Sequence, residues 1–358
     1  MTGSNTRCPA LRRFYHPKQS RTERKPMSHN LMIQNGEASM MYVGGAPWHG
    51  LGTRLDKPAM AEEAIQAAHL NWTVKKLPLY ASDGDNSLLR LPVPDKYAVA
   101  RENSLDVLGV VGSSYTPVQN REAFAFFDPI VGQEAAIYHT AGALGKGERV
   151  WILAKLPNSI RVVGDDVTDK FLLLTNSHDG TSSLQVKFTP VRVVCQNTLS
   201  LAINQGGAGI KISHHTDIHQ RMKTAEKMLG IVHHQYDKLA DTFREMVQVP
   251  MNGNRLERYL EYVFPEPKDR HPTESEAECI ARDRSWSEYF FDQGAGNRMK
   301  GVEGTLWAAY NGVTEMLDHR KIRQTADQRL ASIWFGATER TKARALTVAV
   351  EMLPHFRN

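Results

Sequence analysis

The sequence predicts an α+β fold: a curved antiparallel sheet of β-hairpins with packed helices, one long heptad-patterned helix and a helical C-terminal region. Three observations carry this. Short β-rich runs recur through the middle of the chain with frequent Gly, Asn, Asp and Ser turns, in the order hairpin, helix, hairpin, hairpin, helix, and not as alternating βαβ units. From Asp217 to Val247, the residues Ile218, Met222, Ala225, Leu229, Val232, Tyr236, Leu239, Phe243 and Met246 are spaced alternately four and three apart, a 3.5 repeat over four heptads. Beyond the Pro265-Glu266-Pro267 linker, the remaining pattern is helical.

Three domains are read: 1–26, a disordered basic arm or a mis-assigned start with Met27 as the true one; 27–255, the α+β core; 256–358, the helical C-terminal domain. In order, Met60 to Leu70 is an amphipathic helix, and Trp72 to Tyr80 a strand interrupted by Pro78. Tyr97 to Ala100 and Asp106 to Val111 are paired strands. Arg121 to Val131 is a helix with Asn120 as its N-cap. Ala136 to Ala143 and Arg149 to Leu156 form a hairpin around Gly145-Lys146-Gly147-Glu148. Phe171 to Leu174 is an apolar strand closed by the turn Asn176 to Gly180. Leu184 to Val194 is a second strand whose Pro190 marks an edge or a bulge, since proline cannot donate to a ladder. A helix follows with Asn197 or Thr198 as cap. The heptad seam is narrow enough for one partner helix, in the chain or in a second copy. Helices at Leu256–Val263, Glu274–Asp292, Gly304–Arg320 and Arg340–Met352 complete the chain.

Composition excludes several classes. No run of about 18 apolar residues is present, so no membrane span is expected. Cys8, Cys195 and Cys279 are odd in number and lack a CxxC pair, which argues against a disulfide framework or zinc knuckle and fits a reducing cytoplasm. The net charge is +5, but residues 1–26 carry seven cations against Glu23 alone, so the remainder sums to −1. Charge is polarised along that remainder: 140–230 has a net +4, 320–344 a net +5 and 257–292 a net −5. Such polarity can join copies of the chain, or simply mark solvated faces.

Ser177-His178-Asp179 names the residues of a hydrolase triad, but three consecutive residues do not converge into one hydrogen-bonded line. A turn held by side-chain to backbone hydrogen bonds is the plainer reading. His215 and His219 stand at i,i+4 without the Glu of an HExxH zinc site. Cys195 reads as a packing cysteine, and Asp165, Asp166 and Asp169 as turn chemistry. What remains is a basic and polar set near the central sheet, Lys146, Arg149, Lys187, Arg192, His214, His215 and Arg221, interleaved with Tyr115, Phe188 and Trp151. A cationic groove with aromatic platforms is what single-stranded nucleic acid requires.

Trp48-His49-Gly50-Leu51-Gly52-Thr53, Tyr115 to Asn120, Thr140 to Leu144, Asn176 to Gly180, Pro190 to Leu199 and Gly304 to Asn311 together resemble a phage/plasmid-like family with a conserved bacterial domain of unknown function. The resemblance covers about residues 28–350 and implies bacterial mobile elements and a cytoplasmic setting. The hairpins followed by a helix are similar, at the level of fold, to phage single-strand annealing proteins of the RecT and Red-beta kind. That similarity implies an oligomer holding single-stranded DNA in a basic groove.

The expectation is therefore a non-enzymatic, homo-oligomeric protein of a phage or plasmid that binds single-stranded nucleic acid and promotes annealing or recombination. Phosphate contacts fall to Lys146, Arg149, Lys187, Arg192 and Arg221, and stacking to Tyr115 and Trp151. No catalytic residue, metal or cofactor is assigned. Two alternatives stay open. One is an enzyme acting on nucleic acid or a nucleotide through His178, Asp179 and His49, or a metal at His215 and His219. The other is a structural or anti-defence interaction protein.

Overall fold

A computed structural model describes residues 31–356, apart from 45–49, 58, 83–89, 127–136, 193–196, 199–208, 216, 221–222, 224–231, 269, 320–331 and 333–335. The side chains of 137, 192, 197, 198, 209 and 232–235 are not described. In chain order the elements are β1 (Ile33–Gln34), β2 (Glu37–Ala38), β3 (Met40–Val43), β4 (Thr53–Leu55), α1 (Ala61–Ala67), β5 (Val74–Ala81), β6 (Leu91–Arg101), β7 (Val107–Gly112), α2 (Asn120–Ala125), β8 (Ile137–Leu144), β9 (Arg149–Lys155), β10 (Ile160–Val163), β11 (Asp166–Asp169), β12 (Phe171–Ser177), β13 (Leu184–Phe188), β14 (Val191–Arg192), β15 (Asn197–Thr198) and β16 (Gly209–Ile212). The helices α3 (Val232–Val247), α4 (Gly253–Val263), α5 (Glu274–Gln293), α6 (Leu306–His319) and α7 (Ala337–Phe356) follow. This is the α+β arrangement expected.

The main sheet has seven strands in the order β16-β13-β12-β9-β8-β3-β4, antiparallel except for the β3–β4 pair. All seven residues of β12 are buried, because both of its faces are covered. One face, carrying Val150, Ile152, Leu172, Leu174, Leu184 and Val186, belongs to a cluster that continues into the C-terminal helices. The other face carries a smaller cluster of Met40, Tyr42, Trp151, Leu153, Phe171 and Leu173. Burying a leucine here contributes about 2–5 kcal/mol by the usual cost of truncating it.

β13 stops before Pro190, and the chain passes to a second sheet ordered β10-β11-β14-β15. The proline thus ends a strand where a ladder donor is missing. Asn197 and Thr198 correct the expected helix cap: they pair with Arg192 and Val191 as β15, so their backbone groups are in a ladder. Asn120 is corrected too. Glu122 reaches back to accept the Gln119 N–H at 2.7 Å, placing the cap one residue earlier. Asn120 is instead buried and donates Nδ2–H to the Leu70 carbonyl at 3.0 Å. β5, β6 and β7 form a third sheet, whose register shifts between Pro78 and Tyr80 as the proline required.

The heptad seam is described for α3, where Tyr236, Leu239, Phe243 and Met246 are all buried. Its partners there lie in the same chain. Phe243 packs on Trp307 with ring centroids 4.4 Å apart, and Tyr236 meets Phe188 edge-on and donates to the Phe171 carbonyl at 2.5 Å. Met222, Ala225 and Leu229 lie outside the described residues. Trp307 Nε1–H donates to the fully buried Asp166 at 2.6 Å, tying α6 to β11. Lys342 of α7 and Asp318 of α6 form a buried ion pair.

Candidate functional site

Side chains directly opposite each other in an antiparallel ladder share a face. The pairs Arg149↔Ser177, Thr175↔Gln185 and Gln185↔Lys211 therefore place Arg149, Thr175, Ser177, Gln185, Lys187 and Lys211 on one face of the main sheet. Leu173 and Leu153 continue that face into the smaller apolar cluster. The polar end forms a cleft of about 190 Å³ lined by Arg149, Thr175, Ser177, Thr181–Ser183, Gln185 and Lys187.

The turn after β12 builds one wall. Asp179 accepts hydrogen bonds from the Ser177 hydroxyl, from Thr181 N–H at 2.9 Å and from Thr181 Oγ1–H at 2.6 Å. Burial pushes the Asp179 carboxyl up, but these hydrogen bonds and the nearby Arg149 hold it below the usual carboxylate range. Arg149 Nε lies 4.0 Å from Asp179, and its Nη2–H reaches Thr181 Oγ1 at 3.4 Å. Gln185 Nε2–H donates to Ser182 Oγ at 2.8 Å. Lys187 Nζ stands 3.7 Å from Glu339, so the C-terminal helix reaches the cleft. Both members of that pair keep about a quarter of their side-chain surface. β7 supports the turn from behind. A Cβ at Gly109 would lie 2.6 Å from the Asp179 Cα, so only glycine permits this approach.

His178 points the other way. It is fully buried, its Nε2 lies 3.1 Å from Asn120 Oδ1, and its ring meets Trp72 edge-on. Because the Asn120 amide nitrogen is spent on Leu70, Oδ1 accepts and Nε2 carries the proton. Burial pushes its pKa down to about 3. The consecutive triad is thus excluded by geometry: Ser177 and Asp179 bond to each other on one face and His178 belongs to the opposite one.

The expected cationic residues separate. Arg149 and Lys187 converge on the cleft. Lys146 sits exposed in the β8–β9 turn and does not line it. The Arg192 side chain, Arg221, His49 and Cys195 lie outside what is described. The stacking roles of Tyr115 and Trp151 are corrected by burial. Trp151 has no exposed surface and sits over Gly142, where an added Cβ would meet its ring at 2.4 Å. Tyr115 stacks on His214 with centroids 4.8 Å apart and donates its hydroxyl to the Ser177 carbonyl at 2.8 Å. Among the described residues, no group of three His, Cys, Asp or Glu is placed to hold a metal ion. His219 instead faces Glu122 at 3.8 Å. Likewise no described helix is long and apolar enough to cross a membrane.

Sequence reasoning missed Lys211, although the alternation Ile210-Lys211-Ile212 carries its signal: Ile212 is buried and Lys211 exposed. It also missed Arg101, a buried guanidinium 4.7 Å over the Trp72 ring and bonded to Gln34 at 3.0 Å.

Residues 107–334, well over half of the chain, match the family described as Domain of unknown function (DUF932). The chain belongs to the DUF932 family. The matched span holds every strand of the cleft. Among curated proteins, the UPF0380 protein YafZ of Escherichia coli (strain K12) is 28% identical over 176 residues, 48% of this chain and 56% of that protein. The chain thus spans little more than half the length of that relative. No solved structure matches it. The DUF932 domain accounts for the resemblance to a conserved domain of unknown function.

Proposed function

We propose that this DUF932 protein binds single-stranded nucleic acid through its sugar-phosphate backbone. The observation that supports this is the convergence of Arg149 and Lys187, from two strands, in one hydroxyl-lined cleft with Lys211 on the same sheet face. Arg149 offers a planar fork of donors to phosphate oxygens, and Lys187 a point charge. Thr181, Ser182 and Gln185 supply neutral donors around them. An arriving phosphate competes with Glu339 for Lys187 and with Asp179 for Arg149, so binding exchanges internal ion pairs for a ligand. The finer reading is a homo-oligomer of a phage or plasmid that aligns such strands for annealing or recombination. The charge polarity between 257–292 and 320–344 supports self-association.

Fluorescence anisotropy with a labelled oligonucleotide, over a salt series, tests the core of this reading. Affinity is expected to fall with salt, and Arg149→Ala and Lys187→Ala each to lower the slope by about 0.7, the single-strand value per phosphate contact. Absence of binding at low salt rejects it. Light scattering with and without oligonucleotide tests the assembly.

A further inference from the structure

The outermost strands of a sheet present backbone N–H and C=O groups without a neighbour, and proteins blunt such edges with charge, proline or shortness. Among the described edges, β5 carries Lys75, Lys76 and Pro78, β4 Arg54, β10 Arg161 and β16 Lys211, while β1, β2 and β15 have two residues each. β7 differs: Val107-Leu108-Gly109-Val110-Val111-Gly112 holds neither a charge nor a proline. β6 pairs with it on one side, and no described strand pairs with it on the other. Its inner face is spent. Leu108 and Val111 are buried, and Cβ atoms built at Gly109 and Gly180 would meet the Asp179 backbone and the Val111 side chain. Its outer face is apolar and open. Val107 and Val110 stand 53% and 52% exposed, opposite Ala100 and Ala98 of β6. Leu105, in the turn into β7, is 62% exposed and holds φ at +60°, a strained left-handed conformation for a leucine.

We propose that β7 is the seam of a homodimer, in which the β7 strands of two copies pair antiparallel across a two-fold axis at Val110. The proposal rests on the homo-oligomer reading above and names its surface. Register decides the axis, because opposite residues in an antiparallel pair share a face. With Val110 facing its own copy, outer valine meets outer valine, and Gly109 lies opposite the partner's Val111, both on inner faces. An axis moved half a residue sets outer Val110 against inner Gly109 and mixes the faces. The bulge in β7 falls at Leu108, before this centre, and Gly109 to Gly112 keep regular register. Asp106 precedes β7 and Lys96 stands opposite its last residue, Gly112, so antiparallel pairing brings unlike charges together at both ends of the seam. An isologous seam closes at two copies, and the outer edges it leaves are the charged β5 strands. The Asp179 turn both packs on β7 and flanks the phosphate cleft, so the dimer joins two such clefts through one continuous sheet.

Sedimentation velocity and cysteine trapping on the full chain test the seam. The native protein is expected to sediment at twice the 40.2 kDa of one chain. Val110→Lys sets two ammonium groups against each other on the axis and is expected to halve that mass, with native circular dichroism because the side chain already meets solvent. Val110→Cys places two thiols on Cα atoms about 4.5–5.5 Å apart, within the span of a disulfide, so oxidation with diamide is expected to give a covalent dimer on a non-reducing gel. In Val107→Cys the two thiols fall about 20 Å apart along the strands, and no more covalent dimer is expected than in the oxidised native protein. A native dimer that survives Val110→Lys, or trapping that does not separate the two cysteine variants, overturns the seam and leaves the homo-oligomer reading standing. Should Val110→Lys unfold, the trapping comparison decides by itself. A native protein that sediments as a monomer, with and without oligonucleotide, overturns both, and β7 is then an edge for a strand of another protein.

Discussion

Acid should destabilise this protein through His178 well before its carboxylates titrate. In the fold Nε2–H is given to Asn120, and Nδ1 is buried with no partner to accept or donate. Protonation would place a second N–H, and a charge, where neither is met. The folded pKa of about 3 lies below the unfolded value of 6.5. The contribution is therefore complete above pH 6.5 and lost as pH falls toward 3, because the unfolded chain binds the extra proton. From pH 7 to pH 5 the loss is about 2 kcal/mol, at 1.36 kcal/mol per pH unit below the unfolded pKa. His214, also lowered by burial, acts in the same direction. His178→Gln provides the control, since its amide N–H can still reach Asn120 but does not titrate. Urea unfolding at pH 7 and pH 5 should show the native midpoint falling more than that of the variant, by an amount worth about 2 kcal/mol. Equal falls in the two proteins would refute the argument that His178 is held neutral by the site.

Glu339→Gln should free Lys187 and raise oligonucleotide affinity about two- to fivefold, the worth of a part-exposed ion pair, as read by anisotropy. Gly109→Ala pushes a methyl into the Asp179 backbone, and calorimetry should show a loss of about 1–3 kcal/mol, with weakened oligonucleotide binding as the cleft wall shifts. Asp318→Asn leaves Lys342 buried beside a neutral partner and should cost about 3–5 kcal/mol in chemical denaturation, whereas Asp318→Leu with Lys342→Met should recover most of it. Trp307→Phe removes the donor to Asp166 and should cost about 1–3 kcal/mol, measured the same way.

Local pattern determined much of this protein by itself. Alternation in Leu184 to Phe188, the Gly145–Glu148 turn, Pro190 and the Tyr236–Met246 seam each act over a few residues, and each fixed an element that the fold retains. The exclusion of a Ser177-His178-Asp179 triad was legible for the same reason, since three consecutive residues do not converge into one hydrogen-bonded line. Only tertiary structure decided which cations share a face. Arg149, Lys187 and Lys211 are brought together by strand register across four neighbours, a relation between residues as much as 62 positions apart. It also decided that Trp151 is buried, because an aromatic in a strand looks the same in sequence whether its face meets solvent or a second layer, and that Tyr115, in the loop before α2, is buried against His214. Asn197 and Thr198 show the same limit: their capping propensity is local, and a ladder with Val191 and Arg192 outweighs it.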